Sequence, residues 1–159
     1  MTKVKYVLFI SLSLLLAFFV SCRIIISPPS AKFVEKTFRE NYDDIMLVTE
    51  YIVSSGAESV YLYNSSNMPF ADSNNMDIRD ENVAYAIQNL FNNGYSLISK
   101  QGNTIHYQQW TRFTDAGCGV AYSIDGDDQL DIQYLTQATE LSIDGWYYYV
   151  EDYSAYRTQ

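Results

Sequence analysis

The sequence predicts an α+β fold: an antiparallel sheet of five or six strands with two helices packed on one face. Three observations carry this. Apolar residues recur at three- and four-residue steps in two stretches, from Val34 to Ile52 and from Val83 to Phe91. From Tyr95 onward the apolar period changes from 3.6 to 2. The alternating segments are joined by short turns rich in Gly, Asn and Asp, which suit antiparallel neighbours.

The composition allows one domain with a real core. The chain has 159 residues, 48% hydrophobic and 16% aromatic, so it can bury what disordered chains cannot. Seven Gly and three Pro exclude collagen-like chains, and two Cys cannot build a disulfide-rich miniprotein. A single histidine excludes the usual multi-histidine metal sites, and no cofactor is expected.

The elements follow in order. Ser30 can cap a helix running to about Ser54, with Gly56 near its end. Val34, Phe38, Tyr42, Ile45, Val48 or Thr49, and Ile52 form its apolar stripe, with Glu35, Lys36, Arg39, Glu40, Asp43 and Glu50 on the wet side. A short strand follows over 59–63, where Val60 and Leu62 alternate with Tyr61 and Tyr63. Residues 64–77 show no usable period and read as a loop. A second helix starts at its cap Asp80, buries Val83, Ile87, Leu90 and Phe91, and stops at Asn93-Gly94. Strands at 95–100 and 104–110 flank a turn at Gly102-Asn103, a register that sets Lys100 opposite Ile105 and Ile98 opposite Tyr107. Residues 118–124 make the next strand, with Val120, Tyr122 and Ile124 on one side. Segments 132–138 and 145–151 make a last hairpin.

The N-terminus reads as an export signal. Lys3 and Lys5 precede Tyr6 to Val20, fifteen residues without a charge. That run fits a secretory signal and falls short of the ~20 residues of a spanning helix. The lysines hold the start of the chain in the cytoplasm and send the rest outward. The segment Phe19-Val20-Ser21-Cys22 resembles the lipobox of bacterial lipoproteins, with Phe19 where that family usually carries Leu. The resemblance implies acylation of Cys22, which would become the mature N-terminus. The other reading is an uncleaved signal anchor. Residues 1–21 are thus a signal peptide or signal anchor, 22–30 a tether, and 31–159 a single domain. Either way the domain is expected on the extracytoplasmic face of the cell membrane. Pro28-Pro29 favours an extended tether, whose nine residues reach at most roughly 30 Å.

Charge limits the partners. The net charge is −9, and without the first 21 residues eight bases stand against 19 acids. Nucleic acid is excluded, because it needs a cationic footprint, and the same charge disfavours tight association with anionic lipids. An envelope protein or a neutral glycan is compatible.

Three constellations bear on chemistry. In Gly145-Trp-Tyr-Tyr-Tyr-Val150, strand alternation sends Trp146, Tyr148 and Val150 toward the helices and Tyr147 and Tyr149 to the other face. Joined by Trp110 or Tyr134, those tyrosines would form an open aromatic surface that binds a sugar or peptide. On that reading Tyr147→Ala and Tyr149→Ala leave the melting temperature nearly unchanged. The alternative is ordinary sheet packing. Cys118, between Gly117 and Gly119, could act as a thiol nucleophile if His106 on the preceding strand served as its base. The ordinary reading is a buried thiol and a packing histidine. Asp125, Asp127 and Asp131 sit at alternating positions as in a calcium loop, with Gln129 between. Leu130 stands where the loop needs Gly, and Thr136 where it needs Glu, so an acidic surface turn is the competing reading. The resulting expectation is a membrane-tethered, non-catalytic domain binding another envelope component through the aromatic face or the 64–77 loop. The alternative is a small envelope thiol enzyme or hydrolase using Cys118 and His106.

Overall fold

A computed structural model describes Ser11, Ser13 and residues 27–65, 68–72, 78–112, 116–126 and 129–154. The rest of the leader, Cys22 and the start of the tether lie outside the described residues. Within them the chain is α+β, as its periodicity predicts.

Ser30 caps the first helix, α1 (Ala31–Glu40), accepting the Phe33 N–H at 3.4 Å on its side chain. The stripe expected as one helix is two. Asn41 ends α1 with φ −116° and ψ 17°, and α2 (Tyr42–Ser54) starts directly after it. The physical reason is the asparagine amide. Asn41 Nδ2 donates to the Thr37 carbonyl at 2.8 Å, and its Oδ1 accepts from Asn93 Nδ2 at 2.6 Å. A side chain that satisfies local backbone in this way favours a break over a continuous helix. Both helices still bury the expected stripe: Val34 and Phe38, then Ile45, Val48, Thr49 and Ile52.

After β1 (Ser59–Ser65) the chain forms β2 (Met68–Asp72), a strand inside the segment expected to be a loop. β2 pairs antiparallel with β1. The sequence signal was hidden because an edge strand with only one partner needs little apolar patterning. The third helix, α3 (Glu81–Asn92), is capped by Asp80, whose carboxylate accepts the N–H of Asn82 at 2.9 Å. Gly94, at φ +95°, follows it in the left-handed conformation that suits a helix exit.

The remaining strands are β3 (Leu97–Gln101), β4 (Thr104–Arg112), β5 (Ala116–Ser123), β6 (Leu135–Glu140) and β7 (Trp146–Asp152). Among the described residues seven strands pair antiparallel in the order β2-β1-β3-β4-β5-β7-β6. The β3–β4 register sets Lys100 opposite Ile105 and Ile98 opposite Tyr107, as the turn predicts. β6 begins three residues later than expected. Tyr134 adopts φ +64°, unusual for a residue with a Cβ, and the Leu135 N–H turns back to the Ile132 carbonyl. Ile132 therefore leaves the strand.

Two cores flank the sheet. The larger joins α1, α2 and α3 to Ile98, Ile105, Tyr107, Cys118, Val120, Trp146 and Tyr148. Trp146 sits among Phe38 at 4.7 Å, Tyr122 at 5.1 Å and Tyr107 at 6.0 Å between ring centroids. On the opposite face, the β5–β6 connection folds back so that Leu130 and Ile132 cover Ala121, Tyr147 and Tyr149.

Candidate functional site

The structure separates the residues that the sequence analysis brings together. Tyr147 and Tyr149 do leave the helix face, as alternation requires, but they are 6% and 0% exposed. Leu130 and Ile132 lie over them, so the open aromatic surface does not exist. Trp110 does not join them. A β-bulge between Gln108 and Trp110 inserts Gln109 into β4, which turns Trp110 to the helix side, where it packs, half-buried, against the main core. Tyr134 sits in the turn before β6, its ring edge-on to Tyr153 at 5.3 Å. The four aromatics occupy three different places.

Cys118 and His106 are also parted. Cys118 is buried in the helix-side core, and burial pushes its thiol up to about 12. His106 follows Ile105 and precedes Tyr107, both helix-facing, so its ring lies on the other side of the sheet. A protonated thiol and a base on opposite faces cannot exchange a proton directly. The thiol-dyad expectation is corrected by this geometry.

His106 belongs instead to a buried polar set. Its Nε2 meets Ser99 Oγ at 2.5 Å, Tyr149 stacks edge-on at 5.6 Å, and Nδ1 has no hydrogen-bond partner among the described residues. Burial lowers its pKa to about 4, so the imidazole is neutral at pH 7. Next to it Gln108 Nε2 donates to Glu151 Oε1 at 2.7 Å, and burial raises the Glu151 carboxyl. The Gly-Cys-Gly triplet is explained here. A Cβ at Gly117 would collide with the Gln108 amide and the Glu151 carboxylate, and one at Gly119 with the Tyr107 carbonyl oxygen. Two glycines on one face of a strand are a signal for close cross-strand packing, and that signal pointed to this pair rather than to the thiol.

The neutral histidine has a pH consequence. Its folded pKa lies below the ordinary 6.5, so between pH 6.5 and 4 the unfolded chain binds the extra proton and stability falls as pH drops. The loss grows to about 3 kcal/mol at pH 4. Glu151 acts in the opposite direction, because its raised folded pKa favours the protonated folded state on acidification. Urea unfolding of wild type and His106→Gln at pH 7, 5 and 4 isolates the histidine: the variant is expected to lose less stability on acidification. Parallel curves for the two proteins would contradict it.

The aspartates serve a turn. Asp131 Oδ2 accepts the Asn103 N–H at 3.0 Å, the Asp131 N–H is donated to Thr104 Oγ1 at 2.7 Å, and Asp125 Oδ2 accepts from Asn103 Nδ2. Both carboxylates thus clasp the β3–β4 hairpin rather than a common centre, and Asp127 lies outside the described residues. Among the described residues no three His, Cys, Asp or Glu side chains gather as a metal site.

Two surfaces remain. One is the β6 edge, where Thr136 to Glu140 are all exposed. Thr136 Oγ1 donates to the Val150 carbonyl at 3.0 Å, which fastens the strand to β7. The β6–β7 turn is tied to α1: Ser142 Oγ donates to Glu35 Oε1 at 2.6 Å, and Arg39 Nη2 bonds the same oxygen at 2.9 Å. These donors hold the Glu35 carboxyl below its usual range. The other surface is a cleft of about 540 Å³ where the tether enters the fold, lined by residues 27–30, Phe33, Gln109 and Trp110. Here Tyr148 Oη donates to the Pro29 carbonyl at 3.0 Å and binds the tether to the sheet.

No protein-family model, curated protein or solved structure matches this chain. No helix of the described residues is long and apolar enough to cross a membrane.

Proposed function

We propose that this is a membrane-tethered, extracytoplasmic, non-catalytic domain that binds another envelope component, and that the component is a protein taken up along the β6 edge. The observation that supports this reading is the character of that edge. β6 ends the sheet with five consecutive exposed residues, Thr136 to Glu140, and carries neither Pro nor Lys to block pairing. The opposite edge, β2, contains Pro69, which has no N–H to offer. The Leu141 N–H is donated inward to the Trp146 carbonyl. Alternation then turns the backbone groups of Glu140 and Ala138 outward, where an extended peptide can add a strand. A neutral glycan loses its support, since the tyrosines it would stack on are covered. The tether favours a place at the membrane, because Pro29 is bonded to the fold only seven residues from Cys22.

The test uses the full chain in the membranes of cells that express it. A photo-crosslinking amino acid at Gln137 is expected to yield one discrete adduct with an envelope protein. Ala138→Pro removes an outward N–H and is expected to abolish that adduct while far-UV circular dichroism stays unchanged. An adduct that survives the proline overturns the edge assignment, and one confined to glycan overturns the choice of protein.

A further inference from the structure

The charge of the domain is sharply divided along the chain. Residues 22–39 hold four bases and one acid; residues 40–159 hold four bases and 18 acids. The basic part is the end attached to the leader. Within it α1 buries Val34 and Phe38, so the helical period turns Lys32 and Lys36 to the outside. Phe33 stands beside them at 58% exposure, far more than a buried-stripe helix needs to show. Phe33 also forms one wall of the tether cleft, with Trp110, Pro28 and Pro29 completing it. Arg39 is engaged by Glu35, and Lys36 pairs with Glu40 at 3.6 Å with both side chains exposed. Cationic side chains flanking exposed aromatic and apolar ones is the pattern of surfaces that rest at the boundary between lipid headgroups and acyl chains.

We infer that this patch (Lys32, Phe33, Lys36, Pro28, Pro29 and Trp110) is a lipid-contact surface that seats the domain on its own membrane, with anionic headgroups as the partner. The inference rests on the tethered reading above and specifies which face the tether presents to the bilayer. Charge complementarity selects the orientation. Lys32 and Lys36 meet the headgroups, while 18 of the 19 acids belong to residues 40–159. Affinity is not the issue, because the anchor already supplies a high local concentration. The patch decides which way the domain faces, and in that orientation it is occupied by lipid rather than by the β6 partner.

The chain carries a direct reporter. It has two tryptophans, neither in the leader; Trp146 is buried in the core and Trp110 lines the patch. The full chain is reconstituted into vesicles of phosphatidylcholine alone or mixed with phosphatidylglycerol, with brominated or ordinary acyl chains, and flotation is scored alongside emission. The expected result is bromine quenching in the phosphatidylglycerol vesicles, weaker quenching in phosphatidylcholine alone, and none in Trp110→Phe. Lys32→Glu combined with Lys36→Glu is expected to abolish the difference between the two lipids. A chain that floats with equal emission in brominated and ordinary vesicles overturns the lipid contact and leaves the tether standing. One that does not float overturns both. Emission that changes with protein density but not with bromine assigns the patch to a second copy of the chain, which also overturns the inference.

Discussion

Gly119→Ala is expected to cost about 3 kcal/mol or more, a large share of the roughly 5–15 kcal/mol that holds an ordinary domain folded. The reason is backbone rather than side chain. The new methyl would stand on the Tyr107 carbonyl oxygen, with the Tyr107 carbonyl carbon and Gln108 Cα also closer than van der Waals contact allows. A flexible side chain can move aside; a carbonyl held in a sheet between β4 and β5 cannot do so without breaking the ladder. Gly94→Ala is the control. Its Cβ meets nothing within 4 Å, so only the positive φ opposes it, at ~1–2 kcal/mol. Urea unfolding at neutral pH ranks the two. If Gly119→Ala proves as mild as Gly94→Ala, the close approach of β4 and β5 is not as described.

Tyr149→Ala is expected to destabilise by roughly 3–5 kcal/mol, the range for removing a large buried aromatic ring. Tyr149 is fully buried, lies opposite Gly119 in the β5–β7 ladder, and packs edge-on against His106. This reverses the outcome expected of a surface tyrosine, whose removal would leave the melting temperature nearly unchanged. Tyr149→Phe separates ring from hydroxyl. The Tyr149 hydroxyl has no hydrogen-bond partner among the described residues, so deleting it removes an unpaid desolvation cost and the variant is expected to match or exceed wild type. A phenylalanine variant weaker than wild type by ~1 kcal/mol would show that the hydroxyl is satisfied after all. The two variants together distinguish packing from hydrogen bonding at one position.

The contrast between these residues and their sequence reading has a physical basis. Alternation correctly placed Tyr147 and Tyr149 on the face away from the helices, because side-chain direction in a strand is a local property. It could not show that Leu130 and Ile132 fold back over them, since that contact depends on a reversal at Tyr134, a residue type that rarely adopts positive φ. The same limit applies to Trp110. One inserted residue in β4 exchanges its face, and a bulge leaves no mark on a hydrophobic pattern. The break at Asn41 escaped for a related reason: the apolar stripe runs through it, and the amide that ends α1 finds one of its partners, Asn93, at the end of another helix.

Local chemistry in the sequence determined the class of fold, the helix starts at Ser30 and Asp80, and the β3–β4 register through its turn. These need only caps, period and turn residues, whose energetics act over a few neighbours. Which face is covered, which edge is left open, and which chemical groups meet were decided by tertiary structure alone. Cys118 and His106 lie twelve residues apart on adjoining strands, yet the sheet itself stands between them. Long-range contact is a property of the assembled layers, because packing must fill volume that no single element encloses.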